Sequence, residues 1–207
     1  MEWFVRNGFT VLAPDMIGVG EMGPGINKGD AYIEGSSHNI WYATILIGRS
    51  IVGIRAGDVF RLAGELKNNT GIKDIYGFAR NEMAPVLLHA TAFDPSITHV
   101  ALIESYSSCS TIVLNRFYKP SFILNTVPGA LKAYDLPDLA ASLAPRKLLM
   151  SGVTDGNGKN MDIESIHTDL AIIKTAYQYR NFRFFNHSVI LTSEYSVFLF
   201  FYSINSM

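Results

Sequence analysis

Ile75-Tyr76-Gly77-Phe78-Ala79-Arg80-Asn81-Glu82 decides the reading of this chain. The residues leading into it, Ile72 to Tyr76, read as a short strand. Met83 to Phe93 follows almost at once and carries no glycine, which predicts a helix. A strand that gives way to a helix with so little linker is half of a crossover unit, the connection that parallel strands need. The turn is read here as centred on Ala79. A methyl group cannot attack a carbonyl, take up an acyl group or be activated by a base. At its sharpest point the turn therefore offers no nucleophile.

The pattern repeats outward from that point. Phe9 to Ala13, bracketed by Gly8 and Pro14-Asp15, reads as another buried strand, and Gly18 to Gly35 as a long loop. From about Asn39 to Leu66 apolar residues recur at threes and fours, which predicts a helix weakened by Gly48 and Gly53 and closed by Asn68-Asn69-Thr70-Gly71. Val100 to Ile103 and Lys147 to Met150 read as strands, Ser121 to Tyr134 as loop or short helix, and Asp138 to Leu143 as a helical turn. Glu164 to Tyr179 reads as a helix, and Asn181 to Ile190 as a final strand. Strands alternating with helices predict an α/β fold: a doubly wound, mostly parallel sheet covered on both faces. Sites in such sheets lie beyond the carboxyl ends of the strands, here Asp15, Ala79, Glu104 and Gly152 to Asp155.

Composition narrows the partners. The chain has 207 residues, 48% of them hydrophobic and 17% charged, with net charge −1, enough for one domain with a real core. The charge balance gives no argument for nucleic acid or for an anionic membrane surface. No segment reaches the roughly 20 apolar residues of a membrane span, and Tyr195 to Tyr202 comes nearest. The single cysteine, Cys109, excludes an internal disulfide and a cysteine metal cluster, and reads as buried packing. The five histidines show no metal-ligand spacing, so neither a metal nor a cofactor is expected.

Two motifs resemble α/β-hydrolases. Gly8-Phe9-Thr10-Val11-Leu12-Ala13-Pro14-Asp15-Met16-Ile17-Gly18-Val19-Gly20-Glu21 is similar to a strand and loop of that superfamily. Tyr134-Asp135-Leu136-Pro137-Asp138-Leu139-Ala140-Ala141-Ser142-Leu143-Ala144-Pro145-Arg146 resembles the segment before the seventh strand in acetyl xylan esterase-like and dienelactone hydrolase-like proteins and in relatives of the prolyl oligopeptidase catalytic domain. The resemblance covers about residues 3 to 185, and it implies acyl transfer from a carbohydrate ester or other small ester. The superfamily places a nucleophilic serine at the centre of G-x-S-x-G, on the sharp strand-to-helix turn. Here that centre is read as Ala79, with Asn81 where the last small residue belongs.

The resemblance also implies a triad acid at Asp155 and a triad histidine at His187. Asp155 reads equally as a turn residue in Asp155-Gly156-Asn157-Gly158, and His187 as a packing or surface histidine. The superfamily's earlier strands find no counterpart before Met1, so the expectation is a partial sheet over 1–186 with an uncovered edge that invites self-association. Residues 187–207 read as a divergent hydrophobic tail with little strand logic, as from a truncated or frame-altered gene.

Other residues receive plainer readings. Ser105, Ser107, Ser108 and Ser110 could hide a displaced nucleophile, but read as a polar loop. Gly18, Gly20 and Gly23 have dinucleotide spacing, yet Pro24 and Gly25 follow where a helix should open, so a loop is the reading and a nucleotide site the alternative. His89 reads as a core histidine, His167 as solvated, and His38 and His99 as lying in a loop and before a strand. Arg55 with Asp58, and Arg80 with Glu82, read as local charge pairs. The function expected is that of an esterase-like relative impaired in catalysis. The alternatives are an active ester hydrolase with a displaced serine, and a non-catalytic ligand- or nucleotide-binding domain.

Overall fold

The structure is a computed structural model, and it describes residues 1–23, 32–33, 36–68, 72, 74–162, 164–179 and 196–201. In chain order the elements are α1 (Glu2–Arg6), β1 (Thr10–Leu12), β2 (Tyr32–Ile33), β3 (Ser36–Ser37), α2 (His38–Leu46), α3 (Ile51–Asn68) and β4 (Asp74–Arg80). Then come α4 (Ala84–Phe93), β5 (Ile97–Ile103), α5 (Cys109–Val113), α6 (Pro120–Ile123), α7 (Leu136–Ser142), β6 (Lys147–Ser151), α8 (His167–Tyr179) and β7 (Ser196–Phe201).

Five strands make one sheet in the order β1-β7-β4-β5-β6, with every neighbouring pair parallel. Helices flank it, so the expected α/β class holds. The two faces of β4 show why the sequence packs this way. Ile75 and Ala79 point into the main core, where α3, α4 and α7 contribute Val59, Leu87 and Leu139. Gly77 lies between them on that face. A Cβ there would come within 2.8 Å of Leu87 Cδ1, so the glycine lets α4 approach the sheet closely. The alternate residues Tyr76 and Phe78 face the other way, against Phe9 and against Phe4 of α1.

Three sequence readings need correction. The long helix is two helices. Gly48 sits at φ +71 between them, and Ser50 Oγ accepts the Gly53 N–H to open α3. Gly48 thus ends a helix, as a left-handed glycine commonly does, whereas Gly53 is absorbed into one. The second correction concerns the tail. The sequence reading gives Ser196–Phe201 little strand logic, yet it is β7, between β1 and β4. After its first residue the sequence, Ser-Val-Phe-Leu-Phe-Phe, is a continuous apolar run, the pattern of an interior parallel strand rather than of an alternating one. The third concerns β4, which runs on through Ala79 to Arg80 instead of stopping at Tyr76. The final strand read over Asn181 to Ile190 lies outside the described residues.

Candidate functional site at the carboxyl ends of the strands

The extension of β4 moves the turn. Ala79 is a fully buried strand residue, paired with Leu102 of β5. The chain reverses at Asn81, at φ +52, before a short 3-10 turn over Asn81–Met83 leads into α4. The strand-to-helix turn is therefore centred two residues later than the sequence reading places it. Asparagine is among the few residues that enter the left-handed region readily, and that preference is the sequence signal that points to Asn81.

The same geometry recurs across the sheet. Arg80 is in register with Ile103, and Ile103 with Ser151. The next residue on each strand is Asn81, Glu104 and Gly152, with φ of +52, +53 and +63. Three neighbouring strands thus leave the sheet through left-handed residues, and two of the three are not glycine. The Glu104 N–H donates to the Ser151 carbonyl at 2.8 Å, which ties the β5 and β6 exits together. Strained exits of this kind are found where a site is built, and this edge is where a parallel sheet places its ligands.

The side chains at this edge form two charged layers. In the outer layer Arg80 donates from Nε and Nη2 to the two carboxylate oxygens of Glu104, both at 2.8 Å. That fork holds the Glu104 carboxyl below the usual carboxylate range. Arg80 is therefore paired with Glu104, 24 positions away. Glu82 turns inward instead. Its side chain is 7% exposed, and its Oε1 lies 3.7 Å from Lys119 Nζ, beyond hydrogen-bonding reach. That buried oxygen has no hydrogen-bond partner.

The inner layer is built on Arg55. Its Nε donates to the Ile17 carbonyl at 3.0 Å and its Nη1 to Asn125 Oδ1 at 3.1 Å. Burial lowers the guanidinium to about 10, and the nearby negative charge of Glu82 opposes that shift. Asn125 is held in turn. Its Nδ2 donates to the Ser121 carbonyl and its own carbonyl accepts from the buried Tyr106 hydroxyl. Arg55 is thus a buried strut, and the Asp58 it was expected to pair with accepts from Arg61 instead. This contact was not legible in sequence, because Arg55 and Asn125 are 70 positions apart.

The other sequence candidates fall as follows. Asp155 lies four residues beyond β6 and builds a turn: Oδ1 accepts from the Asn157 and Lys159 N–H groups, at 2.8 and 2.9 Å. His187 lies outside the described residues. Ser105, Ser107 and Ser108 are buried, and Ser110 donates its hydroxyl to Asp135 at 2.7 Å. Among the described residues no serine hydroxyl shares a hydrogen bond with a histidine. His89 bridges the Pro85 carbonyl and the Tyr134 hydroxyl, and burial lowers its pKa, as suits a neutral core histidine.

The Gly18 to Gly23 loop is closed on itself. The N–H groups of Gly18, Met22 and Gly23 donate to carbonyls within the segment, that of Val19 to the Met16 carbonyl just before it, and that of Glu21 to the Asp15 carboxylate. Those five amides are occupied internally, and a carboxylate of the chain stands where a phosphate cradle would need an anion.

Compared with known protein families, with curated proteins and with solved structures, the chain matches none.

Proposed function

We propose that this protein is a non-catalytic relative of the ester hydrolases, a doubly wound α/β-hydrolase-like scaffold of carbohydrate-esterase ancestry that binds a polar ligand at the carboxyl ends of β4, β5 and β6. The observation that carries this reading is Asn81. It occupies the left-handed centre of the strand-to-helix turn, the place where such an enzyme keeps its nucleophile. A carboxamide offers hydrogen bonds but forms no acyl intermediate under mild conditions. Asp155 would be the remnant of the triad acid, now committed to a turn. Arg80 and Lys119 stand beside two carboxylates, Glu104 and Glu82, and the buried Glu82 oxygen has no hydrogen-bond partner, so the edge suits a polar ligand.

The test is hydrolysis of an activated acetyl ester by the purified full chain, with and without a fluorophosphonate probe. The expected result is no turnover above buffer and no label. Asn81→Ser and Ala79→Ser are assayed alongside. Any turnover restored by Asn81→Ser and absent from Ala79→Ser supports the ancestry, because only residue 81 sits on the turn. Probe-sensitive turnover by the wild type, with the label on one of Ser105, Ser107, Ser108 or Ser110, would establish an active ester hydrolase with a displaced serine and overturn the proposal.

A further inference from the structure

Charge in this chain is unevenly distributed. Residues 105–134 contain Arg116, Lys119 and Lys132 but no Asp or Glu, so all 18 acidic residues lie elsewhere. Within that stretch the end of α5 and the segment after it expose apolar side chains: Val113 is 69% exposed, Leu114 84% and Phe117 71%, and Tyr118 is exposed beside them. Arg116 stands over the Phe117 ring at 5.6 Å. Lys119 follows, one-third exposed, with its ammonium over Phe122 at 5.0 Å. Lys119 Nζ lies 3.7 Å from the buried carboxylate of Glu82, so Arg116 is the more exposed cation of the segment.

We propose that Val113 to Lys119 docks the protein on an anionic lipid surface. Two features favour a bilayer over a protein partner. A stable protein interface takes about 20–30 residues from each side, and this segment is a small fraction of that. A bilayer makes no such demand. It accepts a few protruding apolar side chains in the headgroup region, takes aromatic rings at the interface, and draws basic residues toward anionic headgroups. The overall charge of −1 conceals this, because it averages the acid-free stretch with the rest of the chain.

The experiment is cosedimentation of the full chain with vesicles of phosphatidylcholine alone, and with vesicles containing about one-third phosphatidylserine. Binding is expected to the second and not to the first, and it should weaken as salt is raised. Arg116→Glu should weaken it by about fivefold or more, given the contribution of one basic residue near such a surface. Leu114→Ser should weaken it by about tenfold, from the loss of one inserted apolar side chain. Both residues are exposed, so the variants should melt as the wild type does. Leu46→Ser, on the exposed corner between α2 and α3, should leave binding unchanged. The proposal is overturned by absent binding, by equal binding to both vesicles, or by a Leu46→Ser loss equal to that of Leu114→Ser. It is equally overturned if Leu114→Ser converts a dimer to a monomer in light scattering while the wild type ignores vesicles.

Discussion

Replacing Gly77 by alanine tests the packing of β4 on α4. The added methyl would lie 2.8 and 3.1 Å from the two terminal carbons of Leu87 and 3.2 Å from Cγ2 of Ile97. Carbon atoms in contact sit at about 3.5–4.0 Å, so the closest pair must separate by about 1 Å. Leu87 and Ile97 are both fully buried, so neither has free space to turn into. Overpacking of this kind costs about 1–3 kcal/mol, and removing a glycine from a strand interior returns about 0.5–1 kcal/mol. The net expectation is a loss of about 1–2 kcal/mol, read as a melting point lower by about 2–4 °C per kcal/mol. Leu87→Ala alone should cost about 2–5 kcal/mol through its cavity. In the double variant the methyl introduced by Gly77→Ala occupies part of that cavity, so the combined loss should fall short of the sum by about 1–2 kcal/mol. Urea unfolding with an unchanged m-value is the assay. A neutral or stabilising Gly77→Ala, or strict additivity with Leu87→Ala, would show that α4 does not approach β4 as closely as described.

Two further outcomes follow from single carboxylates. Asp135 accepts from the Cys109 and Ser110 N–H groups, the Ser110 hydroxyl and the Leu136 N–H, and so starts both α5 and α7. Asp135→Ala should therefore lose two caps, about 2–3 kcal/mol, and a thermal melt showing less than about 1 kcal/mol would contradict the shared cap. Glu104, held below the usual carboxylate range by Arg80, contributes stability that is complete above the unfolded glutamate pKa and is lost as pH falls through the lowered folded value. Relative to Glu104→Gln, the wild type should be more stable near neutrality and lose that margin in acid. Both side chains are more than a third exposed, so the margin should be small and shrink with salt. A margin that grew on acidification would show that Arg80 does not favour the ionised form.

Much of the fold was legible in the chain because it rests on local pattern. The runs read as strands at 9–13, 100–103 and 147–150 correspond to β1, β5 and β6, and the threes-and-fours spacing of Val59, Leu62 and Leu66 forms a helix. β7 escaped because an interior parallel strand has no alternation to read, only an apolar run, and such a run also fits a divergent tail. The site was less legible. Reading the turn by motif position selects Ala79, whereas backbone preference points to Asn81.

The sequence by itself determined the class of fold and the acid-free stretch, since each depends on which residues occur and how they are spaced. Only the tertiary structure decided that β4 continues to Arg80, that three strands exit together through left-handed residues, and that Arg80 meets Glu104 while Arg55 reaches Asn125. The reason is physical. Those pairings join residues 24 and 70 positions apart, and sheet register and helix packing bring them within hydrogen-bonding distance where no local propensity encodes the meeting.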